Sequence, residues 1–155
     1  MSQTVGDFVV ERLHAWGVRR VFGYPGDGIN GVFGALNRAG DKVAFVQARH
    51  EEMAAFMASA YAKFSGELGV GIATSGPGAS HLITGLYDAR LDHMPVLAIV
   101  GQQSRDALGG HYQQKWTWSA CSRMSPARSC NRRPRRRRCD IWSTAPFALP
   151  WAIDA

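Results

Sequence analysis

The chain has 155 residues, of which 46% are apolar, and a formal net charge of +6. That is one domain with enough apolar matter for a core, which excludes a disordered chain. No eighteen apolar residues run together, which excludes a helical membrane span, and the N-terminus lacks the basic stretch and apolar run of a signal peptide, so a cytoplasmic protein is expected.

Thr4 suits a helix N-cap, with Asp7 three residues on in a weaker form of the capping box. Val5, Phe8, Val9, Leu13 and Trp16 then recur at helical spacing, and Gly17 ends the helix. Arg20 to Gly23 reads as a short strand. Ile29, Val32, Phe33 and Leu36 form a second helical stripe that stops near Gly40. Val43 to Val46 is the next strand. A third helix is expected from Glu51 to Phe64, with Met53, Phe56, Met57, Ala60, Tyr61 and Phe64 turned inward. Gly69 to Ala73 is a strand, Ala79 to Ala89 a helix and Val96 to Val100 a strand. Continuous apolar strands between helices predict an α/β fold, a doubly wound parallel sheet with helices on both faces.

The pattern stops at about Lys115, so residues 1–114 are read as an incomplete domain and 115–155 as a separate tail. The tail has no helical period and no alternation, and disorder is expected there. It carries the excess charge, centred on Arg132, Arg133 and Arg135 to Arg138, whereas acidic and basic residues nearly balance before it. It also holds Cys121, Cys130 and Cys139, with no CxxC pair and no histidine at zinc spacing, so neither a metal site nor a disulfide is expected. A GC-rich gene read out of frame yields such Arg, Pro, Trp and Cys. Permitted codons for Lys115 to Met124, read in a shifted frame, spell VDLERVFKD, an amphipathic sequence. A single-base frameshift near Gln114 is therefore expected. The other reading of the arginines is phosphate neutralisation, which the frame argument disfavours, so nucleic acid is not an expected partner.

Three segments can carry chemistry. Phe22-Gly23-Tyr24-Pro25-Gly26-Asp27-Gly28 is a glycine-rich turn between strand and helix, where backbone can approach a ligand or simply connect tightly. Arg49-His50-Glu51-Glu52-Met53 opens a helix at a strand end. The helix dipole favours an acid there without selecting between Glu51 and Glu52. Thr74-Ser75-Gly76-Pro77-Gly78-Ala79-Ser80-His81 again follows a strand and opens a helix, a place suited to anions or to a plain connection. Three such loops in one parallel sheet line a common edge.

The order FGYPGDGIN, ARHEEMAAFMASAYAKFSG, GIATSGPGASHLITGLYDARLDHMPVLAIVGQ and GGHYQQ resembles the pyrimidine-binding domain of thiamine-diphosphate enzymes, nearest to acetolactate synthases and pyruvate oxidases. The resemblance covers residues 3 to 114. It implies that Glu51 is the glutamate that hydrogen-bonds the pyrimidine N1′ and activates the cofactor. It implies that Tyr24, Pro25, Gly26 and Asp27 form the turn beside the cofactor, and that Thr74, Pro77 and Gly78 form the second loop. His81 stands where acetolactate synthases commonly have Asn. Gln114 matches a family glutamine, but the Glu that usually follows is Lys115. The sequence Gly26-Asp27-Gly28 mimics the start of the family's diphosphate and Mg²⁺ motif without the Asn that motif requires, so no metal is assigned to it.

The resemblance further implies the pyrimidine end of thiamine diphosphate as ligand. Mg²⁺ and diphosphate fall to a separate C-terminal domain that the chain lacks, and FAD is an option in the intact enzyme. The substrate implied is a 2-oxo acid such as pyruvate, decarboxylated or ligated, in a homodimer or homotetramer whose sites lie between chains. This chain alone is expected to be inactive. The alternative is a non-catalytic module that pairs with a separately encoded diphosphate-binding chain.

Overall fold

The computed structural model describes residues 3–107 and 110–115, and residues 148–150 as backbone. The expectations for the tail, its disorder and its arginine cluster included, otherwise lie outside the described residues.

Helix α1 runs from Val5 to Ala15 and β1 from Arg20 to Gly23. A 3-10 turn at Asp27–Ile29 leads into α2, Asn30–Ala39. Then come β2, Ala44–Gln47, α3, Glu51–Ser65, and β3, Gly69–Ala73. Helices α4, Pro77–His81, and α5, Ile83–Leu91, precede β4, Val96–Val100. The single helix expected over 79–89 is thus two, broken at the fully buried Leu82. A short strand β5, Ala148–Pro150, pairs with Ala98–Val100 of β4, an element the sequence pattern did not suggest. Among the described residues no helix is long and apolar enough to cross a membrane.

All described pairings are parallel, in the order β2-β1-β3-β4-β5. The sheet therefore grows one way from β1 to β2 and the other way from β1 to β3 and β4. With right-handed crossovers this reversal puts α2 and α3 on opposite faces. The side chains obey the strand period of two. Val21, Val70, Ile72, Leu97 and Ile99 pack with α1 and α2. Phe22, Ala73, Val96, Ala98 and Val100 pack with α3 and α5.

Two helices bury only part of the expected face: Val9, Leu13, Met57 and Tyr61 meet the core, and the rest differs. In α3 the buried residues are Glu51, Ala54, Ala55, Ala58, Ser59 and Ala62. Met53, Phe56 and Phe64 are exposed, Phe64 to 91%. The reason is close approach. A Cβ on Gly69 would lie 2.1 Å from the Ala58 carbonyl oxygen, and one on Gly85 of α5 would lie 2.5 Å from Ala55 Cβ. Helices packed this tightly admit only small residues at the contact, so the large ones turn outward. In α1, Gly6, Val10 and Leu13 are buried while Val5, Phe8 and Trp16 are exposed. There a Cβ on Gly6 would meet the Gly31 carbonyl oxygen of α2 at 2.6 Å. The capping box of α1 is complete. Asp7 N–H donates to Thr4 Oγ1 at 3.2 Å, and Thr4 N–H donates to Asp7 Oδ2 at 2.9 Å.

Candidate functional site

The reversal point lies between β1 and β3. In an open parallel sheet, ligands sit outside the carboxyl ends of the strands at such a point, where successive loops leave to opposite faces. The loops that follow β1 and β3 are Tyr24 to Gly28 and Thr74 to Gly76, and β2 ends beside them at the start of α3.

The backbone of the first loop packs against the side chains of Thr74 and Ser75 in the second. A Cβ on Gly26 would lie 2.5 Å from Thr74 Cβ, and one on Gly28 would lie 2.9 Å from Thr74 Oγ1. Gly28 N–H donates to Thr74 Oγ1 at 3.1 Å and fixes the two turns together. Gly78, at the start of α4, faces Thr74 and Glu51, and a Cβ there would lie 3.1 Å from Glu51 Oε1. Gln114 lies over Gly76, where a Cβ would meet the Gln114 backbone at 2.8 Å, and Gln114 itself takes φ 55°.

Glu51 is 7% exposed, whereas Glu52 beside it is half-buried. Helix phase selects Glu51, because α3 turns that position onto the sheet with Ala54, Ala55 and Ala58. Its Oε2 is 3.0 Å from His81 Nδ1. Its Oε1 faces Gly78 and takes no hydrogen bond among the described residues. His50 caps α3 by accepting the Glu52 N–H at its Nδ1, 3.3 Å away, and its ring stacks on His81 with centroids 4.4 Å apart.

The structure therefore brings Gly26, Thr74, Gly78, Glu51 and His81 into one connected group, with Gln114 at its margin on Gly76. Tyr24, Pro25 and Asp27 are exposed on the first turn, and Pro77 is exposed at the start of α4. Sequence reasoning placed His50, Gly28 and Ser75 within its motifs without giving them a role of their own, and it missed Gln103. Ser75 is 2% exposed and accepts a hydrogen bond from Gln103 Nε2 at 3.0 Å, which ties the loop after β4 to the one after β3. Gln103 follows a strand end at the same sheet edge, and that position was the available signal. Two clefts, of about 340 and 480 Å³, lie on α1 and away from this edge, the first toward α2 and the second toward β4.

A parallel sheet whose reversal point gathers two glycine-rich loops and the start of a helix around a buried carboxylate defines a cofactor-binding α/β domain. Residues 3–122 match the family described as thiamine pyrophosphate enzyme, N-terminal TPP binding domain, and the chain belongs to that family. It is 47% identical over 113 residues to the putative thiamine pyrophosphate-containing protein YdaP of Bacillus subtilis, covering 73% of this chain and 20% of that one. Against the pyruvate oxidase of Lactiplantibacillus plantarum the identity is 48% over 97 residues, or 63% of this chain and 16% of the relative. Against the acetolactate synthase isozyme 2 large subunit of Escherichia coli it is 53% over 102 residues, or 66% and 18%. The chain thus spans a fifth or less of the length of these three relatives.

Proposed function

We propose that the chain supplies the pyrimidine half of a thiamine-diphosphate site in an enzyme that decarboxylates or ligates 2-oxo acids such as pyruvate. The observation that carries this reading is the buried Glu51, whose Oε1 is without a partner among the described residues and is kept open by a glycine at position 78. A carboxyl that is largely buried, with one oxygen held by a histidine and the other left without a partner among the described residues, is suited to a heterocyclic nitrogen that must exchange a proton. The residues present fit the cofactor's pyrimidine end on that ground.

When bound, thiamine diphosphate supplies a carbon nucleophile for the carbonyl of a 2-oxo acid. The chain's own residues position and protonate. Glu51 Oε1 holds or gives up the proton at N1′. His81 fixes the carboxyl plane through Oε2. Gly78 leaves the face of Oε1 clear, and Thr74, bonded to Gly28, holds the loops that border the ring. Tyr24, Pro25, Gly26, Asp27, Pro77 and Gln114 complete the border. The diphosphate and Mg²⁺ belong to another domain in this reading, the intact enzyme is a homodimer or homotetramer, and this chain by itself is inactive.

Saturation-transfer NMR on the chain with thiamine diphosphate tests the assignment. Transfer is expected to the pyrimidine methyl and ring protons, weaker at the protons beside the diphosphate, and lost in Glu51→Gln. Equal transfer in Glu51→Gln defeats it.

A further inference from the structure

His50 caps α3, Glu51 is its first residue and His81 is the last residue of α4. One ring nitrogen from each histidine and one carboxylate oxygen of Glu51 lie within 4.8 Å of one another. Among the described residues no other three His, Cys, Asp or Glu side chains gather this way. We propose that His50, Glu51 and His81 form a site for one divalent transition-metal ion of the zinc or copper type. Sequence reasoning assigned no metal to this chain. The site became visible only when α4 brought His81 back over the start of α3.

Two imidazoles and a carboxylate are the donor set of mononuclear zinc sites that keep a fourth position open. Bonds of about 2.0–2.2 Å in a tetrahedral site hold the donors roughly 3.3–3.5 Å apart. His81 Nδ1 and Glu51 Oε2 already stand at 3.0 Å. They share a proton there in the metal-free chain. The ion replaces it, and that proton moves to His81 Nε2 or to solvent. Glu51 needs no reorganisation, because burial among the alanines of α3 fixes its carboxylate.

His50 does have to turn. Imidazole lone pairs lie in the ring plane, and the two rings are stacked 4.4 Å apart with planes inclined by 29°, so the pairs do not aim at one point. His50 is exposed, and besides the stack it is held by one long hydrogen bond from Glu52 N–H, 3.3 Å. Rotating it off His81 gives up these two contacts and brings a ring nitrogen toward the shared edge. Nitrogen donors select borderline metals over Mg²⁺, which demands oxygen ligands.

The test is equilibrium dialysis of the full chain against Zn²⁺, with Cys121, Cys130 and Cys139 alkylated so that no thiolate competes. Thiamine diphosphate is omitted, because the cofactor reading uses the same carboxylate; metal binding and cofactor binding can then fail separately. One Zn²⁺ per chain is expected, undisturbed by excess Mg²⁺. Affinity should fall by roughly 100-fold in His81→Ala and in His50→Ala, the upper end of what losing even a supporting contact costs, and stay unchanged in His111→Ala. No bound Zn²⁺, or an affinity in the site variants equal to that of the unsubstituted chain, overturns the proposal. If His81→Ala fails to fold, His50→Ala carries the dialysis. Electron paramagnetic resonance of the unsubstituted chain with one equivalent of Cu²⁺ provides a second measurement. Coupling to two histidine nitrogens supports the site, and coupling to one or none overturns it.

Discussion

Gly69 and Gly71 sit two residues apart on β3, both buried and both facing the α3 side of the sheet, yet they should respond to alanine in opposite ways. At Gly69 the added Cβ would lie 2.1 Å from the Ala58 carbonyl oxygen and 2.8 Å from its carbon. That obstacle is helix backbone, so relief requires α3 to move by about 1 Å off the sheet. The movement opens the contact made by Ala54, Ala55, Ala58 and Ala62, none more than 2% exposed. Overpacking of this kind costs about 3 kcal/mol, the upper end of its usual range. With an m-value of about 1.5 kcal/mol per molar urea, the midpoint of Gly69→Ala should drop by about 2 M. At Gly71 the nearest atom to the added Cβ is Leu82 Cδ2 at 3.9 Å, an ordinary contact. Gly71→Ala should be neutral or gain about 0.5 kcal/mol from the lowered entropy of the unfolded chain. Urea unfolding followed by circular dichroism reads both. Equal midpoints for the two variants refute the close approach of α3 to β3, and with it the reason given for the outward Met53, Phe56 and Phe64.

Further outcomes follow from other contacts. Phe64→Ser should change stability by no more than about 0.5 kcal/mol, as at an exposed site, where an inward phenylalanine would cost several times more; thermal melts decide. Ser59 is fully buried and donates to Asp88 at 2.8 Å, so Ser59→Ala should cost about 1.5 kcal/mol in the same urea assay, and a silent variant removes that bond from the account. Lys63 binds both Asp88 and Asp92, which raises its pKa above 10.5, and hydrogen bonds from Lys63 and then Ser59 lower that of Asp88 below 3.8. A lowered acid contributes fully above its unfolded value and loses that contribution as pH falls; a raised base contributes below its unfolded value and loses it as pH rises. The α3–α5 pair is therefore at full strength between those two limits, and Lys63→Met should remove the decline on the alkaline side. Asp7 is held down at about 2, first by the Thr4 hydroxyl, then by the Thr4 N–H and Arg38. Its contribution is complete above the ordinary value of 3.8 and disappears as pH falls through about 2, so Asp7→Asn should flatten that part of the acid unfolding curve.

Strand positions were the most legible part of the chain. Arg20–Gly23, Gly69–Ala73 and Val96–Val100 match their expected bounds, because buried parallel strands are uninterrupted apolar runs closed by glycine or polar residues. Helix faces were less legible. The stripe of largest side chains was taken as the inner face. Leu13 is buried and Val9, Met57 and Tyr61 pack against the core. Val5, Phe8 and Trp16 of α1 and its C-cap and Met53, Phe56 and Phe64 of α3 point outward, since glycine and alanine contacts set the spacing between helices and the sheet. For the site, motif order placed Glu51 at a strand end and the structure explains its burial by helix phase. The break at Leu82 was not readable, because a buried leucine fits either a continuous helix or a joint. The contacts of His50 and Gln103 were not readable because their partners, His81 and Ser75, are 31 and 28 residues away.

The reversed strand order also governs how the chain can fold. Arg20 pairs with Ala44, Phe22 with Gly71 and Gly69 with Val96, so no strand of the ordered core finds its neighbour through a tight hairpin. Every pairing must first close a loop that holds a whole helix, and such non-local closure slows folding. Strand β1, which lies between β2 and β3, has only one neighbour until β3 is made. A ribosome adding roughly 5–20 residues per second leaves β1 half-paired for a few seconds while residues 48 to 71 emerge. During that interval the carboxyl edge that bears Glu51 does not yet exist, and the bare flank of β1 is the surface on which a chaperone, or an unwanted strand from another chain, would act.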